Sequence, residues 1–161
     1  MDAKERLEKI ELYGRGYDLF VEALNEMPKE MWQFKPSPKD WSVHEIIIHL
    51  ADSESNSALR ARRLIVEPGQ PLMAYDQDVW AEGLDYHSQD VDEALALLKY
   101  SRSTTYKLLK DLPDEVWEHS VVHPEVDGPY TFDMWLTTYA KHIPGHIQQM
   151  RDNLEAWQAQ K

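Results

Sequence analysis

A chain of 161 residues with 42% hydrophobic content is long enough to bury the core of one domain, 1–161, without disulfides. Its 29 acidic against 17 basic residues leave a formal charge of -12, a field that repels phosphate backbones and anionic lipid and argues against a nucleic-acid partner. The absence of cysteine removes thiolate ligands and a cysteine nucleophile in one step, so any thiol chemistry has to use an outside thiol.

The first element is a helix predicted over 3–27, where Leu7, Ile10, Gly14, Tyr17, Val21 and Leu24 hold a helical period. Its opening run, DAKERLEKIE, is charged and amphipathic. No basic segment leads into an apolar one and no stretch is long enough to span a bilayer, so a cytoplasmic location without membrane contact is expected. Pro28, Pro36 and Pro38 then forbid regular helix through PKEMWQFKPSPKDW, with Trp32, Phe34 and Trp41 tucking the connection against the rest.

A second helix is expected over 43–66, started by a capping box of Ser42 and Glu45 and stopped by Glu67-Pro68-Gly69. Residues 69–90 form a long connection, too aromatic for a linker, which from Tyr75 to Tyr86 reads as a cap over the site. Asp90 and Glu93 make another capping pair, and the apolar period from Val91 to Leu112 gives a third long helix. Short β-branched runs on both sides of Asp127-Gly128 predict a small hairpin. Thr131 or Asp133 then caps a last helix running to about Trp157. Four long helices with two decorated crossings favour an all-α four-helix bundle.

The chemistry sits in WLTTYAKHIPGHIQQMR. There His142 and His146 fall one turn apart on the stripe formed by Trp135, Leu136, Tyr139, Ile143, Ile147 and Met150. Such a pair is either two hydrogen-bonded core histidines or the start of a metal site. A shared cation relieves both the burial of unpartnered imidazoles and their mutual repulsion, but two ligands leave coordination incomplete. His49, in WSVHEIIIHLADSE, is the best third ligand, although it lies at the edge of its helix's apolar stripe. Pro144 between the pair removes a helix hydrogen bond and bends the helix, either as a plain kink or to aim the two rings.

Glu45, Tyr139 and Gln149 are candidates for orienting the ligands, with solvation as the simpler reading of Glu45 and Gln149 and core packing that of Tyr139. His44 points elsewhere, and His87, His119 and His123 are expected to be solvated in connections. Glu54 falls within an apolar stripe, so an arginine partner is expected for it.

These two motifs, WSVHEIIIHLADSE and KHIPGHIQQMR, in this order and about a hundred residues apart, resemble the signatures of the DinB and YfiT-like superfamily of metal-binding four-helix bundles. The resemblance implies an up-down-down-up bundle with long decorated crossovers, a divalent ion (zinc or nickel first) on His49, His142 and His146, and a homodimer. Some members transfer low-molecular-weight thiols and others look like hydrolases. Three functions follow for this chain. In the first, an outside thiol is activated on the ion and joined to an electrophilic small-molecule substrate under the 75–86 cap. In the second, an amide or ester is hydrolysed with Glu45 as general base. In the third, the chain is a non-catalytic, stress-related binding module.

Overall fold

The computed structural model describes residues 1–160. Four long helices, α1 (Ala3–Leu24), α2 (Val43–Val66), α4 (Val91–Lys110) and α5 (Phe132–Gln158), are joined by a short α3 (Gln77–Gly83) and a hairpin of β1 (Ser120–Val122) and β2 (Pro129–Thr131). The expected caps are present: Asp2, Ser42, Asp90 and Thr131 each accept from a backbone N–H of the first turn. At α2 the box is complete, since Glu45 also accepts from the Ser42 N–H at 2.8 Å. Thr131, not Asp133, caps α5; Asp133 instead pairs with Arg6 and the amino terminus. α1 stops at Leu24, three residues short of the expected Met27, because the chain tightens into turns before Pro28.

Cross-helix pairs give the directions. Arg6 with Asp133, Lys9 with Thr137 and Glu26 with Arg151 run in the same order, so α1 and α5 are parallel. His44 with Gln89 and Arg62 with Thr105 make α2 and α4 parallel as well. Trp41 with Asn153, His49 with His142 and Ser57 with Trp135 run in opposite order, so α5 opposes α2. The bundle is therefore up-down-down-up. A parallel α2–α4 pair obliges the chain to travel back the length of the bundle between them, which is why 67–90 is long. That segment is not irregular throughout: Asp76 accepts from the N–H groups of Asp78 and Val79 and starts α3. The hairpin turns with Gly128 at φ 90° and docks on the crossover, where Leu72 N–H donates to Val122 O at 2.7 Å.

Two apolar clusters fill the bundle. One gathers Phe20, Met31, Trp41, Ile46, Leu98, Ile143 and Met150; the other gathers Ile10, Tyr13, Leu64, Trp117, Phe132 and Trp135. On α2 and α4 buried polar groups sit at the level between the clusters, and there Arg102 pairs with Glu54, the arginine partner expected for that carboxylate. Gly16 makes room for it. A Cβ at Gly16 would lie 2.5 Å from Arg102 Nε, whereas one at Gly83 meets nothing within 4 Å. Gly16→Ala is expected to lower stability by ~1–3 kcal/mol in urea unfolding despite its better helix propensity. Gly83→Ala should change it by less than ~1 kcal/mol. Equal effects would show that Arg102 can move aside.

Candidate metal centre

The capping box begins α2 at Val43, so His49 sits nearly two turns in and faces α5, with 1% of its surface exposed. α5 runs unbroken through Pro144 and keeps His142 and His146 one turn apart, with ring centroids 4.7 Å from each other. Because α5 opposes α2, the three rings meet. His49 Nε2 lies 3.3 Å from His142 Nε2, and His146 Nε2 lies 3.1 Å from that same atom. One nitrogen from each ring falls within 4.8 Å of the others.

Protons can be assigned from the partners. Gln149 Oε1 accepts from His146 Nδ1 at 2.9 Å, so the Nε2 of neutral His146 carries a lone pair aimed at the other rings. Gln149 is thus not a solvated neighbour but the group that sets this tautomer. Burial, then the charges of His146 and His142, push His49 down to about 2; burial, then His146 and Arg102, push His142 down to about 3. Burial also lowers His146, against the opposing effect of Gln149. Three neutral imidazoles result, the form that ligates.

The donor set fits a divalent ion. With bonds of ~2.0–2.1 Å, two nitrogens on a tetrahedral ion stand ~3.3 Å apart, close to the separations observed. Without a cation the same crowding leaves lone pairs facing one another.

The folded chain holds these imidazoles neutral, while the unfolded chain protonates them near pH 6.5. Below that pH the unfolded state binds more protons, so stability falls with pH and is unaffected above it. Metal-free protein is expected to be roughly 2–4 kcal/mol less stable at about pH 5 than at about pH 7, read from urea midpoints. An unchanged midpoint would contradict neutral burial.

Trp41 walls the site: its ring lies 4.4 Å from that of His49 and 6.2 Å from that of His146, stacked nearly parallel to the latter. Outside it, a cavity of about 200 Å³ is lined by Lys39, Trp41, Gln77, Asp78, His146 and Gln149. A larger one of about 670 Å³ shares Lys39, Trp41 and Asp78 and reaches Glu45 and His87. The start of α3, within the segment expected to cap the site, therefore borders the approach to His146. Tyr75 packs at a tilt against Trp80, and the Tyr86 hydroxyl donates to Asp52 at 2.7 Å.

Glu45 does not have the place expected for a base or an orienter. Its buried carboxylate accepts from Ser42 N–H and meets Lys35 Nζ at 2.9 Å and His87 Nε2 at 3.0 Å. These partners hold it below the usual carboxylate range against the effect of burial. It is not solvated, and its partners are Ser42, Lys35 and His87, not His49, His142 or His146. Tyr139 stands edge-on to His142, its hydroxyl accepting from Arg60 Nη1 at 3.1 Å. Of the histidines expected in solvent, His123 is buried against Tyr130 and His119 Nδ1 donates to Leu64 O. Trp41 was expected only to tuck a connection. Its position next to the Ser42 cap was the available signal that it stands at the mouth of the helix carrying His49.

The sequence profile of the DinB superfamily matches residues 12–150. The "Putative metal-dependent hydrolase YfiT" of Bacillus subtilis is 27% identical over 146 residues, covering 84% of this chain and 82% of that protein. A relative from Oceanobacillus iheyensis with the same description is 32% identical over 66% of this chain and 61% of its own length. The solved structure of YfiT, described as having "an unusual four-helix bundle topology", superposes with a TM-score of 0.86 over 95% of this chain and 87% of that one. At 24% identity that likeness is one of fold.

Proposed function

The chain belongs to the DinB superfamily, and on that premise we propose that it is a metal-dependent hydrolase of a small amide or ester, with His49, His142 and His146 holding a zinc or nickel ion. The observation that carries this is the convergence of three neutral Nε2 atoms at 3.1 and 3.3 Å. Three protein ligands leave positions for a reactant, the pattern of catalytic more than structural sites. When bound, the ion supplies Lewis acidity, which makes water or a thiol an effective nucleophile near neutral pH. The names of the relatives support hydrolysis.

The chain's own groups do the rest. Gln149 keeps His146 in the ligating tautomer, and Trp41 excludes water from the His49 side of the site. Reactant enters past His146 through the cavity bordered by Gln77 and Asp78. One observation favours a second reading, the transfer of a low-molecular-weight thiol to an electrophile. Glu45, the carboxylate suited by sequence to serve as base, is held by Lys35 and His87. A thiol, more acidic than water, needs a base less. A cytoplasmic setting and a homodimer are carried forward with either reading.

Zinc- or nickel-loaded protein should hydrolyse small activated esters or anilides without added thiol, and lose the activity to a chelator. Turnover that requires a thiol and an electrophile such as chlorodinitrobenzene would replace hydrolysis by transfer. Bound metal with neither activity would leave a non-catalytic binding module.

A further inference from the structure

Two histidines outside the metal centre, His44 in the first turn of α2 and His87 on the crossover, bring their ring centroids within 6.2 Å of each other. Gln33, from the connection 28–42, stands between them. Its amide Nε2 meets His44 Nδ1 at 3.0 Å, and its Oε1 meets His87 Nδ1. The outer nitrogens are engaged as well: His44 Nε2 lies 3.0 Å from the Gln89 carbonyl oxygen, and His87 Nε2 lies 3.0 Å from Glu45 Oε1. His87, expected in solvent, is thus held through both of its nitrogens. The bridge joins three segments: the connection, α2 and the crossover.

The proton count along this bridge is the same whichever way the Gln33 amide is turned. A carbonyl oxygen only accepts, so His44 Nε2 carries a proton. Glu45 is ionised, because the Ser42 N–H, Lys35 and His87 together outweigh the opposing effect of burial. His87 Nε2 therefore carries a proton too. An amide has one donating and one accepting end, so one of the two Nδ1 atoms facing Gln33 is bare and the other is protonated. Three protons sit on two rings, and one ring is an imidazolium. Turning the amide only moves that charge from His87 to His44.

We propose that Gln33, His44 and His87 form a proton-held clasp, which fastens the crossover to the connection 28–42 by taking up one proton and releases it as pH rises. Without the third proton both Nδ1 atoms are bare, and at one end of Gln33 two lone pairs face each other. A released imidazole titrates near ~6.5. Above that pH closing requires a proton, so the closed form loses ground by up to about tenfold per pH unit. The charges facing the clasp are mixed: Glu45, Asp78, Glu82 and Asp85 favour the proton, while Lys35 and Lys39 oppose it. The clasp governs access. Glu45 and His87 line the cavity of about 670 Å³ that shares Lys39, Trp41 and Asp78 with the smaller one beside His146, and the clasp ties its walls together. Its effect on reactant entry rests on the metal-dependent reading; the clasp itself does not.

The test uses the whole chain, with and without zinc, carrying nitrogen-labelled histidine. At about pH 6 the ring resonances of His44 and His87 should show one ring with two N–H groups and the other with one. Between about pH 6 and 8 the exchange protection of the Ser88 and Gln89 amides, which donate to Asp85 and Tyr86 within the crossover, should fall about tenfold or more. Gln33→Leu should remove this pH dependence. Gln33→Glu, which offers only acceptors, should leave both rings doubly protonated and move the loss of protection to higher pH. Gln33 is exposed, so both variants should fold. Only two N–H groups on the pair at about pH 6, wild-type protection that ignores pH, or an equal pH dependence in Gln33→Leu would each overturn the proposal. Ring nitrogens and crossover amides are read without metal content or activity, so the clasp stands or fails apart from the three-histidine centre.

Discussion

Substituting His146 by alanine is expected to reduce bound zinc or nickel from about one ion per chain to background in elemental analysis after dialysis. Two imidazoles, His49 and His142, would remain with their Nε2 atoms 3.3 Å apart, and losing one of three protein ligands should cost more than the ~10–100-fold that follows from altering a group behind a ligand. His146 is the informative position because it is less deeply buried than His49, which lies 1% exposed under the Trp41 ring. His49→Ala would also open a hole in the core, and a folding defect would then be confused with a binding defect. Gln149→Ala supplies the graded control. It keeps all three ligands but removes the acceptor that holds the His146 tautomer, so its affinity should fall ~10–100-fold with the fold intact. Unchanged metal content in His146→Ala would remove the three-histidine centre. An unchanged Gln149→Ala would show that the ring is oriented by packing alone.

The parts of this arrangement legible in the sequence are those encoded by local period. His142 and His146 interrupt an apolar stripe at a spacing that only a helix brings together, and Ser42 with Glu45 marks where the helix bearing His49 begins. What was not legible depends on which separate segments meet. Lys35 and His87 come from two different connections, and it is their arrival at Glu45 that occupies this carboxylate. Gln149 is one turn from His146 and could have faced water or the ring; only the rotation of α5 against α2 decides this. α3 was missed because seven residues are too few for a periodic signal, although Asp76 before it is an ordinary cap.

Arg102→Ala should be the most destabilising single change in the bundle. The side chains of this residue and Glu54 are each 1% exposed and joined at 2.5 Å. Its other donors reach the carbonyls of Tyr13 at 2.7 Å and Tyr139 at 3.0 Å, and its guanidinium lies 3.9 Å from the centre of the Tyr13 ring. One side chain from α4 thereby satisfies groups on α1, α2 and α5, at the level where the two apolar clusters part. Truncation leaves a buried carboxylate whose remaining partner is the Tyr13 hydroxyl, plus two carbonyls without this donor. The expected cost is ~3–5 kcal/mol, or a fall in Tm of roughly 10 °C or more for a chain of this size. The pair's attraction need not make it net stabilising, because desolvating both charges opposes it. Arg102→Met with Glu54→Leu should therefore recover part of the single-variant loss, and a positive coupling of ~1–3 kcal/mol would show that the damage comes from the orphaned charge. If the double variant is as unstable as the sum of the singles, the Tyr13 and Tyr139 carbonyls are what Arg102 chiefly holds. Because Tyr139 is one turn from His142, zinc affinity should then weaken along with the fold.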